Sequence, residues 1–131
     1  MMVHRSAGNN FPKSKRLLKH ADFRRVYDSG RRQFTGNMTV FFLRRSEPEA
    51  KAGMRVGFTV GKVLGGAVER NRIKRRMREA VRLSRQDCAA PVDVVFNPRK
   101  SVLTLPWADV VGEVTRGLKL AAQRARTAET K

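Results

Sequence analysis

Cysteine, histidine and acid are the scarce components of this 131-residue chain. A single cysteine, Cys88, excludes an internal disulfide framework and any multi-cysteine metal cluster; its plain reading is a small half-buried residue after a helix. The two histidines, His4 and His20, fall in a polar tail and a basic turn with no third ligand near them in sequence, so they read as solvated side chains rather than a zinc site. No apolar run approaches the roughly 20 residues that cross a bilayer; the longest are of the Val40-Phe41-Phe42-Leu43 kind. Met1 to Lys19 lacks the apolar stretch of about 7–15 residues that a secretory signal needs, which makes a cytoplasmic location the default expectation. Asp and Glu total 11 against 29 Lys and Arg, a formal net charge of +18. Self-repulsion on that scale is tolerated where a polyanion neutralises it in use, so an acidic partner is the first inference.

What is present suffices for a core. The chain is 40% hydrophobic with seven Phe, too apolar for a wholly disordered basic tail, and its length suits one domain. Residues 1–15, broken by Gly8-Asn9-Asn10 and Pro12, read as a disordered basic tail. Leu17, Leu18, Ala21, Phe23, Val26 and Tyr27 suit a short helix, helical over Asp22 to Asp28 and stopped by Gly30. Arg31 to Phe34 is a weakly pairing strand before a Thr35-Gly36-Asn37 turn, and Met38 to Arg44 is a central strand apolar on both faces. Ser46 to Gly53 is a loop. Met54, Val56, Phe58 and Val60 then alternate with Arg55, Gly57 and Thr59, a strand with one polar or small face. After a turn at Gly61–Gly66, a long helix runs from Ala67 to about Arg85, ending before Pro91. Val92, Val94, Val95 and Phe96 form a buried strand closed by Asn97-Pro98. Trp107 to Ala122 is the last helix, with Pro106 in its first turn and Val110, Val111, Val114, Leu118 and Ala121 on one face. The order α-β-β-β-α-β-α predicts an α/β two-layer sandwich with one small mixed sheet and about three helices, a single domain over 16–122 followed by a frayed tail at 123–131.

The sharpest signal is Glu69 to Arg85. At about 100° per residue, Ile73, Met77, Ala80 and Ser84 share a narrow arc, while Arg70, Lys74, Arg78, Arg82 and Arg85 form an adjacent stripe with Arg75 at its edge. Like charges at i, i+4 repel by a few tenths of a kcal/mol per pair, and Glu69 and Glu79 relieve only part of this. Phosphates on that face would resolve the conflict, and Arg offers them forked donors. A solvated charged face normally mixes both signs, which this one does not. A membrane-surface helix would carry a wedge of large apolar residues where this arc holds Ala and Ser. Phe23 and Tyr27, four residues apart, share a helix face that can stack unpaired bases or simply pack into the core; burial alone equally explains Phe41.

No nuclease constellation accompanies these features. Two-metal phosphodiester cleavage needs converging carboxylates, yet the acids are scattered, and Glu47 and Glu49 merely flank Pro48 in a loop. An acid/base pair would have to draw on His4 and His20, one of them in the tail. The chain is not expected to catalyse a reaction by itself.

Arg70-Asn71-Arg72-Ile73-Lys74-Arg75-Arg76-Met77-Arg78-Glu79-Ala80-Val81-Arg82, preceded by Val56-Gly57-Phe58-Thr59-Val60 and Gly61-Lys62, closely resembles the bacterial ribonuclease P protein component. The likeness spans about Leu17 to Ala122, including Asp22-Phe23-Arg24-Arg25-Val26-Tyr27 and Val92-Asp93-Val94-Val95. It implies an accessory subunit, one per RNA, of a ribonucleoprotein endoribonuclease that removes the 5′ leader of precursor tRNA. The active site and its Mg2+ would lie in the catalytic RNA, and the fold would carry a left-handed βαβ crossover. By the same resemblance Lys62, Arg70, Asn71, Arg72, Lys74, Arg75, Arg78 and Arg82 would face RNA, and Phe23, Tyr27 and Phe41 would line a cleft for the leader. Val63 stands where the family often has a second Lys, and Tyr27 where Phe is common. A basic ribosomal-type structural RNA-binding protein without a processing role is the alternative that charge and helix patterning leave open.

Overall fold

The computed structural model describes residues 19–45, 53–84 and 91–129, with 125–129 as backbone alone. Helix α1 (His20–Ser29) leads into strands β1 (Arg31–Phe34) and β2 (Met38–Arg44), joined by a tight turn. Strand β3 (Arg55–Phe58) precedes a 3-10 turn at Lys62–Leu64 and helix α2 (Ala67–Ser84). Strand β4 (Val92–Pro98), a second 3-10 turn (Lys100–Leu103) and helix α3 (Trp107–Glu129) complete the order. The sheet runs β1-β2-β4-β3; β4 is antiparallel to β2 and parallel to β3, so the connection from β3 to β4 passes through α2. The expected α-β-β-β-α-β-α sandwich with a mixed sheet is what forms.

Alternation along the strands assigns the two faces. Met38, Val40, Phe42, Val56, Val94 and Phe96 meet Ile73, Met77, Val81, Val110, Val114 and Leu118 of α2 and α3 in the main core. The opposite face carries Phe41, Leu43 and Val95, packed under Val26, Phe23 and Tyr27 of α1. β2 is therefore covered on both sides, as its unbroken apolar run requires. Gly30 ends α1 as expected, its N–H donating to the Val26 carbonyl at 2.8 Å. Its φ of −86° is not left-handed; glycine is needed because a Cβ would lie 2.5 Å from the Val26 oxygen and 2.6 Å from the Phe42 oxygen. In the β1–β2 turn Gly36 does take a left-handed φ of 119°. The buried carboxylate of Glu113 ties this turn to α3, accepting from Thr35 Oγ1 at 2.8 Å, Asn37 N at 2.9 Å and Asn37 Nδ2 at 2.6 Å.

One boundary differs from expectation. α3 continues past Ala122 to Glu129 instead of fraying at Gln123, because Gln, Arg, Ala and Glu dominate the extension and favour helix without any apolar periodicity. The expected tail at 1–15, the features at His4, Leu17, Leu18, Glu47, Glu49, Arg85 and Cys88, and the loop from Ser46 to Ala52 lie outside the described residues. Among the described residues no helix is long and apolar enough to cross a membrane.

Gly117 sets how closely α3 meets the sheet: a Cβ there would stand 2.9 Å from both Phe96 Cε1 and Val40 Cγ2. Gly117→Ala is expected to lower stability by about 1–2 kcal/mol, because overpacking outweighs the roughly 1 kcal/mol gain in helix propensity. A urea midpoint equal to or above that of the parent would contradict this.

Candidate nucleic-acid interface

α2 forms where a turn releases the chain and apolar residues recur at helical spacing. Its start is capped by the Gly66 N–H donating to Glu69 Oε1 at 2.8 Å, one half of a capping box. Ile73, Met77, Ala80, Val81 and Ser84 are buried, the expected arc with Val81 added. The exposed side is centred opposite: Asn71, Arg72, Arg75 and Arg78 all face solvent. The cationic row thus runs at i, i+3 through Arg72, Arg75 and Arg78, turned away from the expected i, i+4 stripe, because Val81 draws the packed arc towards Lys74.

The expected RNA-facing residues divide accordingly. Arg70 and Lys74 are half-buried at the margin, and Arg70 Nε donates to the Gly65 carbonyl at 3.2 Å. Arg82 is paired with Glu79, its Nε 3.1 Å from Oε1. The bonded guanidinium holds the Glu79 carboxyl below its ordinary pKa, and Glu79 raises that of Arg82. Lys62 is exposed in the turn before α2, beside Val63, which is 92% exposed. Arg76, omitted from the expected site, is structural: it donates to the carbonyls of Val102, Leu103 at 2.9 Å and Leu105 at 2.8 Å, and lies 5.6 Å over the Trp107 ring.

Phe23, Tyr27 and Phe41 do come together. Tyr27 and Phe41 meet edge to face at 4.9 Å, and Phe23 joins the same cluster, each ring half-buried between α1 and the sheet. The Tyr27 hydroxyl is bonded to Thr59 Oγ1 and donates to Asn97 Oδ1 at 3.0 Å, which fixes the ring against the strand ends. Thr59 follows β3 and leads within three residues to Lys62, so the aromatic cleft and the cationic turn are joined along the chain.

The cleft's geometry depends on a buried carboxylate that sequence reasoning placed in a strand without assigning it work. Asp93 is completely buried on the α1 face of β4. It accepts from Arg45 Nη1 at 2.6 Å and from Arg55 Nε and Nη2, each at 2.9 Å. Arg55 also approaches Asp22 of α1 at 3.6 Å, and Asp22 accepts from Arg25 at 2.6 Å. The signal was legible: one acid in a run of Val must be paired, because a lone buried charge is costly. Asn97 gave none, since a strand-closing Asn is explained by the turn after it.

Five acids in the described part are thus occupied: Asp22 and Asp93 by arginines, Glu79 by Arg82, Glu69 by a helix cap and Glu113 by a turn, while Asp28 and Asp109 lie exposed on α1 and α3. Among the described residues no group of three or more His, Cys, Asp or Glu is placed to hold a metal. The described carboxylates are not placed to form a Mg2+ site.

These features define a small cationic α/β sandwich in which an arginine-bearing helix adjoins an aromatic cleft under α1. The family model of ribonuclease P matches residues 11–122. The chain is 38% identical over 110 residues to the ribonuclease P protein component of Desulforapulum autotrophicum, covering 84% of this chain and 91% of that one. To the same component of an Exiguobacterium species it is 39% identical over 114 residues, covering 87% and 92%. The solved RNase P protein of Staphylococcus aureus superposes with a TM-score of 0.68 at 28% identity, over 83% of this chain and 96% of that one. That of Thermotoga maritima superposes with a TM-score of 0.66 at 25% identity, over 79% and 94%. The chain belongs to the ribonuclease P protein family. Its role is that of a protein component of an endoribonuclease complex, which separates it from a ribosomal-type structural protein.

Asp93→Ala is expected to cost about 3–5 kcal/mol, because it removes the buried countercharge of Arg45, whose side chain is 1% exposed, and of Arg55. Denaturant unfolding measures this; a loss below about 1 kcal/mol would show that the network does not hold the sheet. The Glu79–Arg82 pair behaves differently. With the carboxyl pKa lowered in the fold, its contribution is present above the ordinary Glu pKa and is lost as pH falls through the lowered value.

Proposed function

We propose that this chain binds the catalytic RNA subunit of ribonuclease P and the 5′ leader of precursor tRNA, one protein per RNA, in the bacterial cytoplasm. The observation that carries the proposal is the exposed row Arg72, Arg75 and Arg78 with Asn71, set opposite the packed side of α2 and free of acid partners among the described residues. Three guanidiniums in one row repel one another, and phosphates on that face convert the repulsion into binding. Lys62, Arg70 and Lys74 extend the surface at its margin; Arg82 reaches a phosphate only in exchange for Glu79, a half-exposed pair that is cheap to give up.

The cleft takes the single-stranded leader. Phe23, Tyr27 and Phe41 offer ring surface on which unpaired bases stack at about 1–3 kcal/mol each with little sequence preference. Cleavage belongs to the RNA, which holds the Mg2+ that the reaction uses. The protein's part is to lower repulsion where leader and catalytic RNA crowd together and to hold the leader extended. Displacing the scissile bond by about 1 Å can cost 100-fold in rate.

Replacing Arg72, Arg75 and Arg78 together by Ala is expected to flatten the plot of log affinity against log salt by about 0.9 per lost contact on duplex RNA, or about 0.7 on single strands. An unchanged slope would remove the helix from the interface. Phe23→Ala or Tyr27→Ala is expected to weaken binding of precursor tRNA by about five-fold or more while sparing mature tRNA; equal losses for both would make the rings structural. Purified chain alone is expected to leave precursor tRNA intact. Leader removal without the RNA subunit would overturn the proposal.

A further inference from the structure

Beyond the α1 cleft, the sheet carries a second aromatic group on the same face. Register pairs Phe34 of β1 with Thr39 of β2, and Thr39 with Asn97 of β4, the residue that anchors Tyr27. A row therefore crosses the sheet from the cleft to its edge, and with strands about 4.8 Å apart Phe34 stands roughly 10 Å from Asn97. Phe34 is 52% exposed although the Arg99 guanidinium lies over its ring at 4.7 Å. The guanidinium occupies one side of the ring, so the remaining exposure belongs to its other side and edge. Arg99 is itself positioned, because its N–H donates to the Asn37 carbonyl at 2.9 Å.

Scattered exposed apolar residues need no explanation. Phe34 differs in being a large ring on an edge strand, where exposed apolar surface is a liability, with a cation already stacked on it. Its surroundings are cationic: Arg31 and Arg32 precede it, and around the β1 edge, on the α3 side, a groove of about 550 Å³ that Phe34 also borders is lined by Arg116 and Lys119. The nearby acid Glu113 is buried and bonded within the turn. A second copy of this chain pairing edge to edge would bring like charges at Arg31 and Arg32 together. A polyanion with planar bases fits both the charge and the ring.

We propose that Phe34 and Arg99 form a further nucleotide position, where an unpaired base of the RNA strand leaving the α1 cleft stacks on the Phe34 ring and Arg99 meets the adjoining phosphate. The inference rests on the leader reading above and extends its path across the sheet to the β1 edge.

The test uses the full chain assembled with the catalytic RNA, and precursor tRNAs whose leaders grow by one nucleotide at a time. Phe34→Ala is expected to leave affinity unchanged for leaders too short to pass the cleft and to weaken longer ones about five- to tenfold, with Phe34→Tyr close to the parent and the unfolding midpoint unmoved. Tyr27→Ala weakens binding already at the shorter leaders. No loss with Phe34→Ala at any length, while Tyr27→Ala still weakens binding, would overturn this inference alone; no loss with either would overturn the leader reading as well. A loss equal at all lengths and with mature tRNA would move Phe34 to a different contact and overturn the inference. So would a change confined to self-association of the RNA-free chain, read by sedimentation, which would assign the edge to a second copy.

Discussion

Asp93 is the group on which the arrangement turns. A carboxylate sealed inside a sheet is tolerable only with its charge matched and its oxygens bonded, and both conditions are met by Arg45 and Arg55. Because Arg55 also reaches Asp22, the same charge fixes α1 over the sheet. Tyr27 secures the other end through Thr59 and Asn97, so the aromatic cleft is held at two places by polar contacts. An apolar contact tolerates sliding, whereas bonded groups have one register. A cleft meant to hold a flexible strand in a fixed position gains from that.

The shortage of acid has a structural counterpart. Glu69 starts α2, Glu79 pairs with Arg82, Glu113 pins the β1–β2 turn, and Asp22 and Asp93 serve the network under α1. Few negative groups remain near the outward row of α2. The field over that helix is therefore set by its arginines, which suits association with a polyanion and makes it sensitive to salt. Arginine itself is used in two ways here. Arg76 and Arg45 spend their forked donors on carbonyls and a buried carboxylate, while Arg72, Arg75 and Arg78 keep theirs in water.

Much of the site was readable without coordinates because it repeats with the period of the element that bears it. The alternation of Arg55, Gly57 and Thr59 with Val56 and Phe58 marked the polar face of β3, and the spacing of Ile73, Met77 and Ala80 marked the packed face of α2. Spacing alone does not set the direction of the cationic row, since two rows that share Arg78 lie beside one apolar arc and the burial of Val81 decides between them. Arg76 shows the same limit: it follows the exposed Arg75 and precedes the buried Met77, and the segment from Val102 to Leu105, remote in the chain, presents three carbonyls to it. The end of α3 lies beyond its apolar pattern for a different reason. Helix persists there on local propensity after the apolar pattern has stopped.

Local chemistry alone therefore determined the kinds of element, their order, the excess of positive charge, the aromatic pair on α1 and the arginines of α2, because each is a property of neighbouring residues. Tertiary structure decided which strand lies beside which, and hence that Asp93 meets Arg45 and Arg55, that Tyr27 meets Asn97, and that Phe34 shares a face with the cleft. Those pairings join residues far apart along the chain, and their energies come from burial and matched charge in the folded sheet, which no short stretch of sequence contains.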